Sequence, residues 1–95
     1  MVAVAIEYFG PAKTYTNGVA HERVELTEPA TLNTLIQHVG RSYSSEFAQY
    51  IVSSCGVVVN EDYVETERIG IEFFGKNIAL QSGDVVGIIP PVSSG

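Results

Sequence analysis

A chain of 95 residues, 45% of them hydrophobic, can bury one core but not two, so a single domain over residues 1–95 is expected. Eleven acidic residues against five basic ones give a net charge of −6, which repels phosphate backbones and anionic lipid and argues against nucleic-acid and membrane partners. The one cysteine, Cys55, allows no internal disulfide and the two histidines complete no zinc set, so no metal site is expected and a reducing, cytoplasmic setting follows.

From the N-terminus, Val2, Val4, Ile6 and Tyr8 alternate with Ala3, Ala5 and Glu7, which predicts a strand over residues 2–9 with one buried face. Glu7 interrupts the apolar run, and no basic leader or cleavage pattern accompanies it, so a secretory signal or membrane span is not expected. Gly10-Pro11 and Asn17-Gly18 then mark turns, and alternation resumes from Ala20 to Thr27 with Glu22, Val24 and Leu26 on one side. The two strands predict an opening hairpin with a long loop.

After Pro29 the period changes. Leu32, Leu35, Ile36 and Val39 follow helical spacing, with Thr31 placed as the cap, and this is the main predicted helix. Ser45 is the expected cap of a shorter helical segment carrying Phe47, Tyr50 and Ile51. Val57-Val58-Val59, a turn at Asn60-Glu61-Asp62 and a return at Tyr63-Val64 predict a second hairpin. From Glu65 to Leu80 no period emerges. Ser82-Gly83-Asp84 then turns into Val85–Ile89, apolar throughout as in a strand at the centre of a sheet. The order describes an α+β fold, a β-grasp or ubiquitin-like domain in which a mixed sheet packs on one main helix and a flexible C-terminal tail, residues 90–95, projects from it.

The tail is Pro90-Pro91-Val92-Ser93-Ser94-Gly95. Two prolines keep its start extended, small residues follow, and the terminal glycine has no Cβ to obstruct a narrow channel. Fully extended it reaches roughly 20 Å, enough to enter another protein's active site. The plainer reading is an ordinary frayed terminus.

The stretch Leu80-Gln81-Ser82-Gly83-Asp84-Val85-Val86-Gly87-Ile88-Ile89-Pro90-Pro91-Val92-Ser93, with Tyr8-Phe9-Gly10-Pro11-Ala12-Lys13, Val59-Asn60 and Tyr63-Val64, resembles the small sulfur-carrying subunit of molybdopterin synthase, a relative of the thiamine-pathway sulfur carrier. The resemblance spans the chain. It departs at Ser94, where the family usually has glycine, and keeps the terminal Gly95. It implies that a separate ubiquitin-activating-like adenylyltransferase and sulfurtransferase uses ATP to convert the Gly95 carboxylate to a glycyl-adenylate, which a sulfur donor turns into a thiocarboxylate. The thiocarboxylate then delivers sulfur to the cyclic pyranopterin precursor, forming the dithiolene, inside a heterotetramer with the large catalytic synthase subunit. Gly95 is then the reacting residue, Pro90, Pro91, Val92, Ser93 and Ser94 are the tail that enters the partner's channel, and the chain has no intrinsic cofactor. The expected docking surface is the sheet face away from the helix, with Ala3 and Ala5 as candidates and a contribution from Phe73 or Phe74.

Other readings compete. An enzyme would use Cys55 as nucleophile with His21 or His38 as base, although a lone cysteine before a β-branched run ordinarily packs as a small hydrophobe. Asp84 fits a turn role and Glu61-Asp62 a solvated turn. Closer alternatives are sulfur carriers of thiamine synthesis or transfer-RNA thiolation, and a ubiquitin-like interaction module whose end never reacts, for which Ser94 is the best argument.

Overall fold

The N-terminal alternation builds β1 (Val2–Tyr8), which buries Val2, Val4, Ile6 and Tyr8 on one side and leaves Ala3, Ala5 and Glu7 on the other. A computed structural model describes residues 1–91 of the chain. β2 (His21–Leu26) pairs antiparallel with β1, Val4 opposite Val24, and buries Val24 and Leu26 in the same layer. The long loop between them contains a turn of helix that periodicity did not reveal, α1 (Ala12–Tyr15), entered through Pro11 and anchored by fully buried Ala12. Four residues are too few to display a helical stripe.

The main helix is α2 (Leu32–Ser42), and the stripe Leu32, Leu35, Ile36 and Val39 is buried as the spacing requires. Its cap is reciprocal: Thr34 N donates to Thr31 Oγ1 at 3.2 Å, and Thr31 N donates to Thr34 Oγ1 at 2.9 Å. α3 (Ser45–Ser54) is nearly as long as α2 and begins one residue earlier than expected, because Ser44 is the extended cap that accepts from Phe47 N at 3.1 Å. The helical layer is therefore a pair rather than one main helix. The two approach closely at Gly40, where a Cβ would lie 3.0 Å from that of Ala48.

β3 (Gly56–Val59) and β4 (Asp62–Tyr63) form the second hairpin around Asn60 and Glu61, both at positive φ, the geometry of a two-residue turn that follows the sheet's twist. Asp62, expected in the turn, pairs with Val59 instead. β5 (Val85–Ile89) lies in the middle of the sheet, whose order is β2-β1-β5-β3-β4, parallel to β1 and antiparallel to β3. Val86 and Ile88 are fully buried against the helices. The expected β-grasp, with its last strand central, is the observed fold.

Residues 65–80 contain one isolated bridge, Thr31 with Ala79, and are held by scattered backbone bonds, among them Leu32 N to the Ile78 carbonyl at 2.8 Å and Leu80 N to the Ala30 carbonyl at 2.9 Å, together with single side chains. Buried Asn33 donates from Nδ2 to the carbonyls of Ile71 and Phe74, at 2.6 and 2.8 Å. Thr66 Oγ1 accepts from Gly75 N at 2.8 Å, and Arg68 donates to the Ile51 and Val52 carbonyls at the end of α3 while covering the Phe74 ring at 5.2 Å. Gly75 sits at φ +71, and a Cβ there would come within 2.7 Å of Leu32 Cβ.

Candidate functional site

The candidate site starts where β5 leaves the sheet. Pro90 is buried at the strand's end and Pro91 is exposed, so the rigid base extends one residue into what the sequence alone assigns to the tail. Val92, Ser93, Ser94 and Gly95, the remaining expected site residues, lie outside the described residues.

The start of β5 is fixed by a closed set of bonds. Asp84 accepts from Asn60 Nδ2 on Oδ1 at 3.0 Å and from Gln81 N on Oδ2 at 2.8 Å, while Asn60 Oδ1 accepts from Val85 N at 2.9 Å. Asp84 is thus occupied in ordering the turn, as its position after Ser82-Gly83 suggested. These bonds join the β3–β4 turn to the start of β5, so the strand carrying the tail is registered against its neighbours from its first residue.

Alternation in β5 and β3 turns Val85, Gly87, Ile89, Gly56 and Val58 toward the sheet face that no helix covers, beside half-buried Ala3 and Ala5 of β1. Two aromatics complete this face. A Cβ on Gly87 would meet Val58 Cγ2 at 2.8 Å and Phe9 Cε2 at 3.3 Å, so the glycine leaves room for Phe9 to lie over the strand. Tyr63 approaches Gly56 in the same way, 3.1 Å from where a Cβ would stand. Both rings remain open to solvent, Phe9 at 45% and Tyr63 at 70% exposure, on an apolar face bounded at β2 by His21, Arg23 and Glu25. A contiguous exposed apolar surface of this kind marks an interaction site more often than a chance exposure.

The sequence reading put Ala3 and Ala5 on the sheet face away from the helices, where the structure has them, but did not name Phe9, Val58, Tyr63 and Val85 of the same face. Period-two alternation in Val85–Ile89 and Gly56–Val59 was the available signal for the aliphatic pair. Phe74 is fully buried and Phe73 is partly exposed near Lys76, but the segment carrying both packs on α2 at Asn33, away from the open face.

Cys55 is buried, and burial pushes its thiol up to about 11, with Arg68 opposing the shift, so little thiolate is present near neutral pH. His38 meets Ser42 Oγ at 3.3 Å and His21 is exposed at the sheet edge. Among the described residues no group of three His, Cys, Asp or Glu side chains could hold a metal ion, and no helix is long and apolar enough to cross a membrane.

On the covered side of the sheet, Tyr8 and Tyr43 both donate to Glu22 Oε2, at 2.7 and 2.6 Å, which ties β1, β2 and the end of α2 together. Burial, reinforced by Glu22, pushes the Tyr8 phenol far above its ordinary value and that of Tyr43 up to about 12. The cluster braces the sheet behind the open face.

The family model described as the ThiS family matches residues 6–95, nearly the whole chain and all of the strand, prolines and tail. The chain belongs to the ThiS family. Among curated ThiS-like relatives, the molybdopterin synthase sulfur carrier subunit of Emericella nidulans is 33% identical over 95 residues and covers 100% of both chains. Among solved structures, a Pyrococcus furiosus protein described as molybdopterin converting factor, subunit 1, superposes with a TM-score of 0.73 at 28% identity, covering 97% of this chain and 100% of that one. A Helicobacter pylori structure described as a complex of subunits 1 and 2 of molybdopterin-converting factor shares the fold, with a TM-score of 0.59 at 20% identity, 99% of this chain and 100% of that one being covered.

Proposed function

We propose that this chain is the sulfur carrier of molybdenum cofactor biosynthesis, the small subunit that donates sulfur inside molybdopterin synthase. The observation that carries this reading is the position of the tail: it leaves a buried, doubly paired strand beside an exposed apolar face, in a chain similar throughout to named sulfur carrier subunits. A rigid base with a short, small-residue extension suits delivery of a terminus into a partner's pocket.

The chemistry resides at Gly95. A terminal carboxylate with a pKa of about 3.5 is an anion at neutral pH and a poor electrophile, so it must be activated. In this reading an adenylyltransferase joins the carboxylate to AMP from ATP with release of pyrophosphate, and a sulfur donor then displaces AMP to leave a thiocarboxylate. The thiocarboxylate sulfur attacks carbon of the cyclic pyranopterin precursor, and hydrolysis of the acyl carbon–sulfur bond then leaves the sulfur on the pterin and returns the Gly95 carboxylate, two sulfurs being delivered per product. Pro90 to Ser94 thread the channel, and the large subunit supplies the acid and base groups, so this chain acts as a covalent substrate with no cofactor of its own. Phe9, Val58, Tyr63, Val85 and Ile89 dock on that subunit, as the name "subunit" in the relatives and the two-subunit Helicobacter pylori assembly support. A cytoplasmic location accords with a lone, buried cysteine that has no internal disulfide partner.

Intact-mass measurement after incubation with ATP, the activating enzyme and a sulfur donor is the test. A sulfur-for-oxygen gain located at Gly95 is expected, and deletion of Gly95 should abolish it without shifting the melting temperature. An unchanged mass would instead favour the unreactive interaction module, toward which Ser94 in the family's second glycine position points. Conversion of the pterin precursor by the large subunit separates this pathway from thiamine or transfer-RNA thiolation.

A further inference from the structure

The odd-numbered residues of β1 face the open side of the sheet, and two of them, Ala3 and Ala5, are small and apolar like the centre of that face. The third is Glu7. It is exposed and stands one strand in from the polar rim, with His21 of β2 opposite it on one side and Gly87 of central β5 on the other. Gly87 is also the glycine over which the Phe9 ring lies, Cε2 standing 3.3 Å from where a Cβ would be, so Glu7 and Phe9 flank the same spot. The carboxylate is unpaired there. Ion pairs among the described residues join Met1 to Glu28 and Arg23 to Glu25, and Arg23, diagonal to Glu7 across the β1–β2 pair, is engaged at 2.9 Å by Glu25.

In the free chain an exposed carboxylate costs nothing, because water solvates it. Docking removes that water. A partner that covers Ala5, Phe9 and Val85 also covers Glu7, and a buried carboxylate without a counter-charge costs more than the contact of one apolar side chain returns. The partner must therefore bring a cation to this point. The adjoining ring selects which one: a planar guanidinium can lie against an aromatic face while its N–H groups donate to a carboxylate, whereas an ammonium is a strongly hydrated point charge.

We propose that Glu7 and the Phe9 ring form a seat for one arginine side chain of the docked partner, which makes Glu7 a specificity-determining residue of the open face. A partner offering only apolar groups there is disfavoured. That this partner is the large synthase subunit rests on the function proposed above. Ile89 follows Gly87 by two residues on the same face of β5, so the seated arginine would lie roughly 7 Å from the point where the tail leaves the sheet.

Calorimetry of the large subunit with full-length Glu7→Gln, Phe9→Leu and the double variant is the test. Glu7→Gln, at an exposed position, should melt as the wild type does and bind about thirty-fold more weakly, while Phe9→Leu, which keeps apolar bulk without the ring, should lose about five-fold. The double variant should lose no more than about two-fold beyond Glu7→Gln, since both groups act through one guanidinium. Unchanged or tighter binding by Glu7→Gln, as expected of a charge that only keeps the free face soluble, overturns the proposal, and losses that multiply overturn the shared seat. Replacing the exposed arginines and lysines of the large subunit by alanine, one at a time, should find one arginine whose loss matches that of Glu7→Gln and vanishes in the Glu7→Gln background; finding none, or a lysine instead, overturns the arginine. Should the wild-type chain not bind the large subunit, the functional reading falls and the seat is decided on the chain alone. N-acetylarginine amide should then shift the Phe9 ring resonances more than N-acetyl-lysine amide does, with Glu7→Gln removing the difference, and equal shifts overturn the seat.

Discussion

The end of β5 and the segment 65–80 are held by opposite means. β5 is paired through its backbone on both sides and seated by Val86 and Ile88, so its order is shared among many contacts, none of which decides it alone. The segment 65–80 has almost no ladder and is held by scattered backbone bonds to Ala30, Leu32 and Asn33, by the buried Phe74 and Leu80, and by the side chains of Asn33, Thr66 and Arg68. Shared order suits a platform for the terminus proposed to react. Order resting on scattered contacts leaves a segment that single substitutions can release.

The strongest way to break this contrast is Gly75→Ala, which adds a Cβ 2.7 Å from Leu32 Cβ at a φ that L residues avoid. A loss of roughly 2–4 kcal/mol is expected by urea denaturation. A loss below about 0.5 kcal/mol would mean that the segment repacks freely, contrary to the contacts described. Asn33→Ala comes next: it strands the Ile71 and Phe74 carbonyls, at a cost of roughly 1–3 kcal/mol, and should accelerate amide exchange in residues 71–75 more than in β5. Uniform acceleration across both would show that the regions open together.

On the platform the effects should move from stability to binding. Tyr63→Ala removes a ring that is 70% exposed, so stability should change by less than about 0.5 kcal/mol. Affinity for the large subunit should drop about ten-fold by calorimetry, as for an exposed aromatic anchor, and unchanged affinity would remove Tyr63 from the docking face. At neutral pH the Tyr8–Glu22–Tyr43 cluster gives no signal, but alkali exposes it. Because the folded phenols are raised above the ordinary value of 10.0, stability is intact below that pH and declines as pH rises toward about 12, where folded Tyr43 ionises. Denaturation midpoints against pH should show this decline, and Tyr43→Phe should reduce its slope by about half, Tyr8 carrying the rest.

The strands and α2 were legible because each has a period that survives in one dimension: alternation in Val2–Tyr8, and the stripe at Leu32, Leu35, Ile36 and Val39. The cap at Ser44 was displaced by one residue because Ser44 and Ser45 are equally good caps, and only the backbone conformation distinguishes them. Segment 65–80 was opaque for a different reason. Asn33 and Ile71 are 38 residues apart, and nothing in either residue alone announces their hydrogen bond. The tail was recognisable as a candidate from its small residues, but that Pro90 belongs to the buried base depends on what surrounds it. Phe9 and Tyr63 were missed because a ring lying over a glycine on a neighbouring strand is a cross-sheet relation that no local pattern encodes.

The parallel pairing of β1 with β5 has a practical corollary. With Ala5 opposite Val85, Val2 lies three positions short of the start of the last strand, and Ile89 stands some seven positions further along, roughly 23 Å away. An affinity handle or fluorophore fused ahead of Met1 would therefore occupy the far rim of the sheet, allowing the protein to be immobilised or tracked with the end proposed to react left unobstructed.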